Sequence, residues 1–204
     1  MKKNKPKKRQ TSLNFRETAM RKLTTEIGVY VLCDLDEVPI YVGQSRAGIR
    51  GRVRRHLTSA RSDVIANRQI DVWEIAYVKA WPVKKLAEIP HLEALLFKTF
   101  DRRKALMNGS IPALRKPAGK VPPAAQTVQV MSDEDIKVRR DPMLRLPRQI
   151  EHIGRLVDHI LSVKDSQQLR RSLAAHFERL EAYRDAFLRQ TGPVTRAPGK
   201  SDEE

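Results

Sequence analysis

Gly28-Val29-Tyr30-Val31-Leu32 and Ile40-Tyr41-Val42-Gly43-Gln44, with ten residues between the two tyrosines, decide how this chain folds. Both stretches are rich in β-branched and aromatic residues, and Asp34-Leu35-Asp36-Glu37 between them supplies turn chemistry. The pair reads as a β-hairpin, with strands over 27–33 and 38–42; Pro39 is tolerated at the start of a strand or on an edge. Taken alone, it is a hairpin that happens to use two tyrosines.

Working outward, Ile49, Val53 and Leu57 recur at four-residue spacing and predict an amphipathic helix over 47–60. Residues 70–80 alternate and read as a third strand, limited by Pro82. A second strong helix is predicted over 87–106, with Pro90 admissible only near its first turn. A short helix over 13–22 precedes the hairpin. Past Asn108 the pattern gives way to Pro, Gly, Ala and Lys, the composition of a loop or linker. Ser132-Asp133-Glu134-Asp135 then reads as a helix cap. Two apolar stripes follow, Ile150/Ile153/Val157/Ile160 and Leu169/Leu173/Phe177/Leu180/Phe187, broken at Lys164-Asp165-Ser166 as a helical hairpin would be. The expected organisation is a disordered basic arm (1–12), an α+β domain (13–108), a linker (109–131), a helical C-terminal region (132–191) and a disordered tail (192–204).

Charge bounds the partner. Forty Lys+Arg against 24 Asp+Glu give a net charge of +16, which favours a polyanion, and phosphate backbones are the commonest one. An anionic membrane surface fits less well, because the basic helices lack a bulky apolar face. No apolar run approaches the length of a membrane span. The single cysteine, Cys33, excludes an intrachain disulfide framework and a cysteine zinc cluster. It lies in an apolar run and reads as a core residue; its scarcity points to a reducing compartment, the cytoplasm, at the nucleoid if DNA is the partner. The arm Lys2-Lys3-Asn4-Lys5-Pro6-Lys7-Lys8-Arg9 either touches phosphates non-specifically or only solubilises the chain.

Between Gln44 and Ser62 lie Arg46, Arg50, Arg52, Arg54, Arg55 and Arg61, with no acid to pair them, a pattern that leans towards phosphate binding. With Ile49, Val53 and Leu57 defining the buried stripe, Arg52 and His56 fall one turn apart at the boundary of core and solvent. On the second helix Glu93 falls inside the apolar arc of Leu92, Leu96, Phe97 and Phe100. A carboxylate there must meet a cation, either an arginine or lysine or a metal ion. Arg139, Arg140, Arg145, Arg148, Arg155, Arg170 and Arg171 make the C-terminal helices basic. They would either clamp DNA or belong to a hairpin that packs on the first domain or self-associates.

In order, Gly28-Val29-Tyr30, Tyr41-Val42-Gly43, Arg52-x-x-x-His56, Glu93 and Asn108 resemble the GIY-YIG nuclease superfamily over about residues 27–110. Val replaces the family's Ile in both motifs, and Met107-Asn108 stands where Leu-Asn is preferred. The resemblance implies a central three-stranded, mainly antiparallel sheet flanked by helices. It also implies a divalent cation (Mg²⁺, with Mn²⁺ as a substitute) on Glu93, and Arg52 on the scissile phosphate. Tyr30, Tyr41 and His56 then shape and deprotonate the attacking water, and Asn108 completes the set. An unperturbed Tyr titrates near 10, so Tyr30 needs its pKa lowered to act as base, whereas His56 does not. The implied activity is a metal-dependent DNA endonuclease of restriction or mobile-element type. The alternatives are a non-catalytic nucleic-acid-binding protein on the same fold and a nuclease acting on RNA. Cutting both strands with one site per chain calls for a homodimer or for two sequential nicks.

Overall fold

Strand β1 (Gly28–Cys33) is buried at all six positions, so both of its faces must be covered. In the computed structural model, which describes residues 11–59, 66–108, 110–113, 117 and 119–192, β1 lies in the interior of an antiparallel sheet. The sheet order is β2-β1-β3-β4, with β2 at Pro39–Ser45, β3 at Tyr77–Pro82 and β4 at Gln126–Gln129. The hairpin pairs Tyr30 with Gly43 and Leu32 with Tyr41, and β3 sets Ala80 opposite Tyr30 on the other side. Gly28 is demanded by this crowding: its φ is +151°, and a Cβ there would stand 2.2 Å from the Trp81 carbonyl oxygen.

Among the described residues the sheet therefore has four strands, not the three expected. β4 lies within the segment read as a linker; with four residues and Val128 as its one buried side chain, it carries too little periodicity to be seen in sequence. The third strand also starts later than the alternation suggested. Asp71 accepts a hydrogen bond from the Trp73 amide (2.9 Å) and holds Val72–Glu74 in a 3₁₀ turn instead.

Alternation along β1 sorts the core into two layers. Tyr30 and Leu32 pack with α1 (Ser12–Met20) and α2 (Ile49–Thr58), through Met20, Ile49, Val53 and Leu57. Val29, Val31 and Cys33 pack with α3 (Ile89–Asp101), through Ile89, Leu96 and Phe97. Pro90 sits in the first turn of α3, where no hydrogen bond is lost. Burial pushes the Cys33 thiol up to about 12, as befits an inert core residue.

The C-terminal region comprises α4 (Asp133–Arg140), capped by Ser132, and the antiparallel pair α5 (Pro142–Ser162) and α6 (Gln167–Thr191). The pair docks on the α+β unit largely through charge. Glu74, in the 3₁₀ turn, has a side chain only 2% exposed, and its carboxylate accepts from Arg145 Nε (2.8 Å) and Arg148 Nη2 (2.5 Å). Arg148 also meets Asp71 (3.0 Å), and Arg145 pairs with Asp36 and lies over the Tyr183 ring at 4.1 Å. Arg179 is fully buried on α6 and donates to the carbonyls of Pro39 (2.8 Å) and Ala105 (3.0 Å). Arg140 pairs with Asp36, Arg171 with Asp101, and Arg139 stacks on Trp73. Five of the arginines that could have clamped DNA are thus turned onto the α+β unit. The predicted stripes are redrawn accordingly. Ile150 (52%) and Phe177 (53%) are exposed, while Ser172, His176 and Arg179 line the inward face of α6. The N-terminal arm Lys2–Arg9 and the tail beyond Gly192 lie outside the described residues.

His176 donates its Nε2–H to the Gln69 carbonyl (2.8 Å), which also accepts from the Ser172 hydroxyl (3.2 Å); the His152 ring lies 5.0 Å away. Burial, with His152 adding to it, lowers the His176 pKa from 6.5 to about 4.

Two consequences are measurable. Arg145→Met leaves Glu74 buried beside one arginine fewer and should lower unfolding free energy by about 3–5 kcal/mol; a loss below about 1 kcal/mol in denaturant titration would contradict the docking described. Because His176 binds its proton less readily folded than unfolded, its contribution to stability falls as pH drops through the window from 6.5 to about 4. His176→Gln, which keeps a donor for Gln69, should lose less melting temperature than wild type between pH 7.5 and 4.5; parallel curves would refute the assignment.

Candidate active site

At the outer edge of the sheet β2 would leave a row of unpaired backbone groups. Asn108 covers part of it. Its Oδ1 accepts from the Val42 amide (2.9 Å) and its Nδ2 donates to the Val42 carbonyl (2.6 Å), while the Met107 amide reaches Ile40 (2.8 Å). Beside this covered edge opens a cleft of about 200 Å³, lined by Tyr30, Tyr41, Gly43, Gln44, Arg52 and Glu93, with Asn67, Gln69, Asn108, Ser110 and Gln168 closing it. Three elements converge there: the hairpin supplies both tyrosines, α2 supplies Arg52, and α3 supplies Glu93 from the opposite layer.

Tyr30 crosses the hairpin towards the cleft. Its ring passes directly over Gly43, where a Cβ would stand 2.4 Å from the phenol oxygen, so the glycine of Tyr41-Val42-Gly43 is the space that the tyrosine needs. The phenol oxygen is 2.7 Å from His56 Nε2. The rings of Tyr30, Tyr41 and His56 form a triangle, with centroids 6.4 Å apart for the tyrosines and 5.9 and 5.7 Å from each to the histidine. The helical wheel put Arg52 and His56 together on the rim, and the structure separates them. Arg52 is half-buried and lines the cleft, whereas His56 is 1% exposed and stands behind Tyr30 and Tyr41, which line it.

Glu93 is half-buried rather than fully inside the apolar arc, because the arc turns out at the cleft. Its Oε2 accepts from Gln44 Nε2 at 2.9 Å. Burial raises its pKa above the ordinary carboxylate range, and Arg46 pulls it back. No group of three or more His, Cys, Asp or Glu able to hold a metal occurs among the described residues. One carboxylate beside neutral oxygens suits a hard cation that keeps most of its waters, Mg²⁺ or Mn²⁺, better than zinc.

The arginines predicted to meet nucleic acid divide by position. Arg46 and Arg55 are exposed. Arg50 donates its Nε to the Leu23 carbonyl (2.6 Å) and so ties α2 to the loop before β1. Arg54 pairs with Glu17 of α1 at 3.4 Å, the acid that the local run of sequence lacks. Arg61 lies outside the described residues. Of the cleft residues that sequence reasoning missed, Gln44 directly follows the second motif and was within reach. Asn67 and Gln69 sit in a loop whose shape depends on α6, and Gln168 arrives from α6 itself; nothing local in their sequence marks them.

The cleft thus sets a phenol hydrogen-bonded to an imidazole, a guanidinium and a partly desolvated carboxyl around one small space: a proton acceptor, an anion site and a place for a cation. None of the described helices is long and apolar enough to cross a membrane. No curated protein and no solved structure gives a match. Residues 26–106 match the family model described as GIY-YIG catalytic domain, a span that holds the hairpin, α2 and α3 with every cleft group just named except Asn108, Ser110 and Gln168. The segment 26–106 belongs to the GIY-YIG nuclease superfamily.

Proposed function

We propose that this cleft is the active site of a divalent-metal-dependent DNA endonuclease that hydrolyses phosphodiester bonds, of restriction or mobile-element type. The observation that carries the reading is the 2.7 Å contact between Tyr30 and His56 at a cleft that Arg52 and Glu93 also line. With the proton of neutral His56 on Nδ1, the Tyr30 hydroxyl donates to Nε2, and its oxygen is the atom that would accept a proton from the cleft. An attacking water there gives its proton to Tyr30 as Tyr30 passes its own to His56. The buried histidine thus acts through the tyrosine, and the choice between Tyr30 and His56 as base becomes a relay of both.

Arg52 offsets the charge that builds on the phosphoryl oxygens, as a guanidinium fixed on a helix can. Glu93 would hold the divalent cation, which supplies further charge neutralisation at the phosphate when bound. Tyr41 forms the opposite wall and packs its ring edge-on to His56. Asn108, grouped with the catalytic residues from the sequence, is given a positioning role, holding the strand that bears Tyr41, Gly43 and Gln44. DNA is brought in by the exposed arginines Arg46 and Arg55 and by the net charge of +16.

The test is cleavage of supercoiled and linear DNA of varied sequence, with Mg²⁺ or EDTA, by the wild type, Glu93→Ala and Arg52→Ala. Nicked or linear product should form with Mg²⁺, vanish with EDTA, and drop by about 10²–10³-fold in each variant. Product that persists in EDTA, or equal activity in Glu93→Ala, would sink the reading.

A further inference from the structure

The Gln44–Glu93 contact fixes more than the carboxylate. An ionised Glu93 accepts only, so the Gln44 amide has to turn its Nε2 towards it, at 2.9 Å. Reversing the amide would set oxygen against oxygen. That orientation commits Gln44 Oε1 to the remaining direction, where it is buried and has no hydrogen-bond partner among the described residues. Buried polar oxygens are nearly always satisfied, and one left over in a cleft wall marks a place for a ligand atom.

From this geometry we infer that Gln44 Oε1 is a second protein oxygen for the cation assigned to Glu93, so that the ion is held between a carboxylate and a carboxamide on adjacent walls. The inference rests on the reading of Glu93 as a cation ligand and adds a residue to it. Gln44 comes from the hairpin and Glu93 from α3, and both line the same cleft. The donor set would be one charged and one neutral oxygen, with water and phosphate oxygens completing the shell of a hard cation. The same amide serves twice: its N–H orients Glu93, and its oxygen meets the ion that Glu93 binds. Such pairing leaves Gln44 little freedom to swing away, which is how an outer partner improves a ligand. The two roles predict different consequences for different substitutions. Gln44→Leu removes both. Gln44→Glu removes the N–H but restores an oxygen, now charged.

Mn²⁺ alone is the probe. The full chain at pH 8 is titrated with Mn²⁺ while the paramagnetic resonance signal of the free ion is followed, with circular dichroism confirming that each variant is folded. Wild type should bind one ion that Glu93→Gln abolishes. Gln44→Leu should weaken it roughly tenfold or more. Gln44→Glu should bind at least as tightly as wild type, an outcome that a purely orienting amide cannot give. If Gln44→Leu binds like wild type while Glu93→Gln does not bind, or if Gln44→Glu is weakened as much as Gln44→Leu, the role of Gln44 is overturned and that of Glu93 stands. If wild type binds no ion that depends on Glu93, both are overturned.

Discussion

A carboxylate withdrawn from water has to be met by charge, and the arrangement of this molecule follows from how Glu74 is met. Arg145 and Arg148, both on α5, close on its two oxygens. The attraction has to offset the removal of three ions from solvent, which it can do only with several short hydrogen bonds in fixed geometry. Here Asp71, Asp36 and Gln149 complete the set. Once α5 is seated, α6 has one place to lie. Its Ser172 and His176 then hold the Gln69 carbonyl, and its first turn brings Gln168 to the cleft. Helices beyond the GIY-YIG segment thereby form part of the cleft wall, and most of their arginines are engaged inside the molecule rather than offered to DNA.

The second constraint is the close approach of Tyr30 to Gly43. A side chain at position 43 would collide with the phenol and displace it from His56 Nε2. Two features that look like separate motif residues are one device: the glycine makes room, the tyrosine crosses, and its phenol meets the buried histidine. Asn108 works on the same strand from its other side, satisfying both backbone groups of Val42.

What was legible in the sequence divides along physical lines. The hairpin, α2 and α3 were readable because their apolar periods are strong and local; Arg52 and Glu93 stood out by their places on those periods, whereas Tyr30 and Tyr41 drew attention only through the ordered motifs that resemble the GIY-YIG family. β4 was not, since four residues with one buried side chain hold no period and the strand exists through the outer edge of β3. Nor was the inward face of α6, where Ser172, His176 and Arg179 stand at positions that a binary pattern calls exposed. They are buried because the surface they meet presents carbonyls and carboxylates, a property of the folded first domain. The position of His56 was misjudged for a related reason: a histidine looks like a rim residue on a wheel until a tyrosine from another element bonds to it.

If Tyr30 and His56 act as one proton path, a double-mutant cycle on single-turnover DNA cleavage shows it most directly. Tyr30→Phe should reduce the cleavage rate by about 10²–10⁴-fold, the range for loss of a positioned base. His56→Gln should fall substantially too, and the double variant should be little worse than Tyr30→Phe alone, since removing either end breaks the same path. Losses that simply add, or a Tyr30→Phe variant that cuts as fast as wild type, would contradict it.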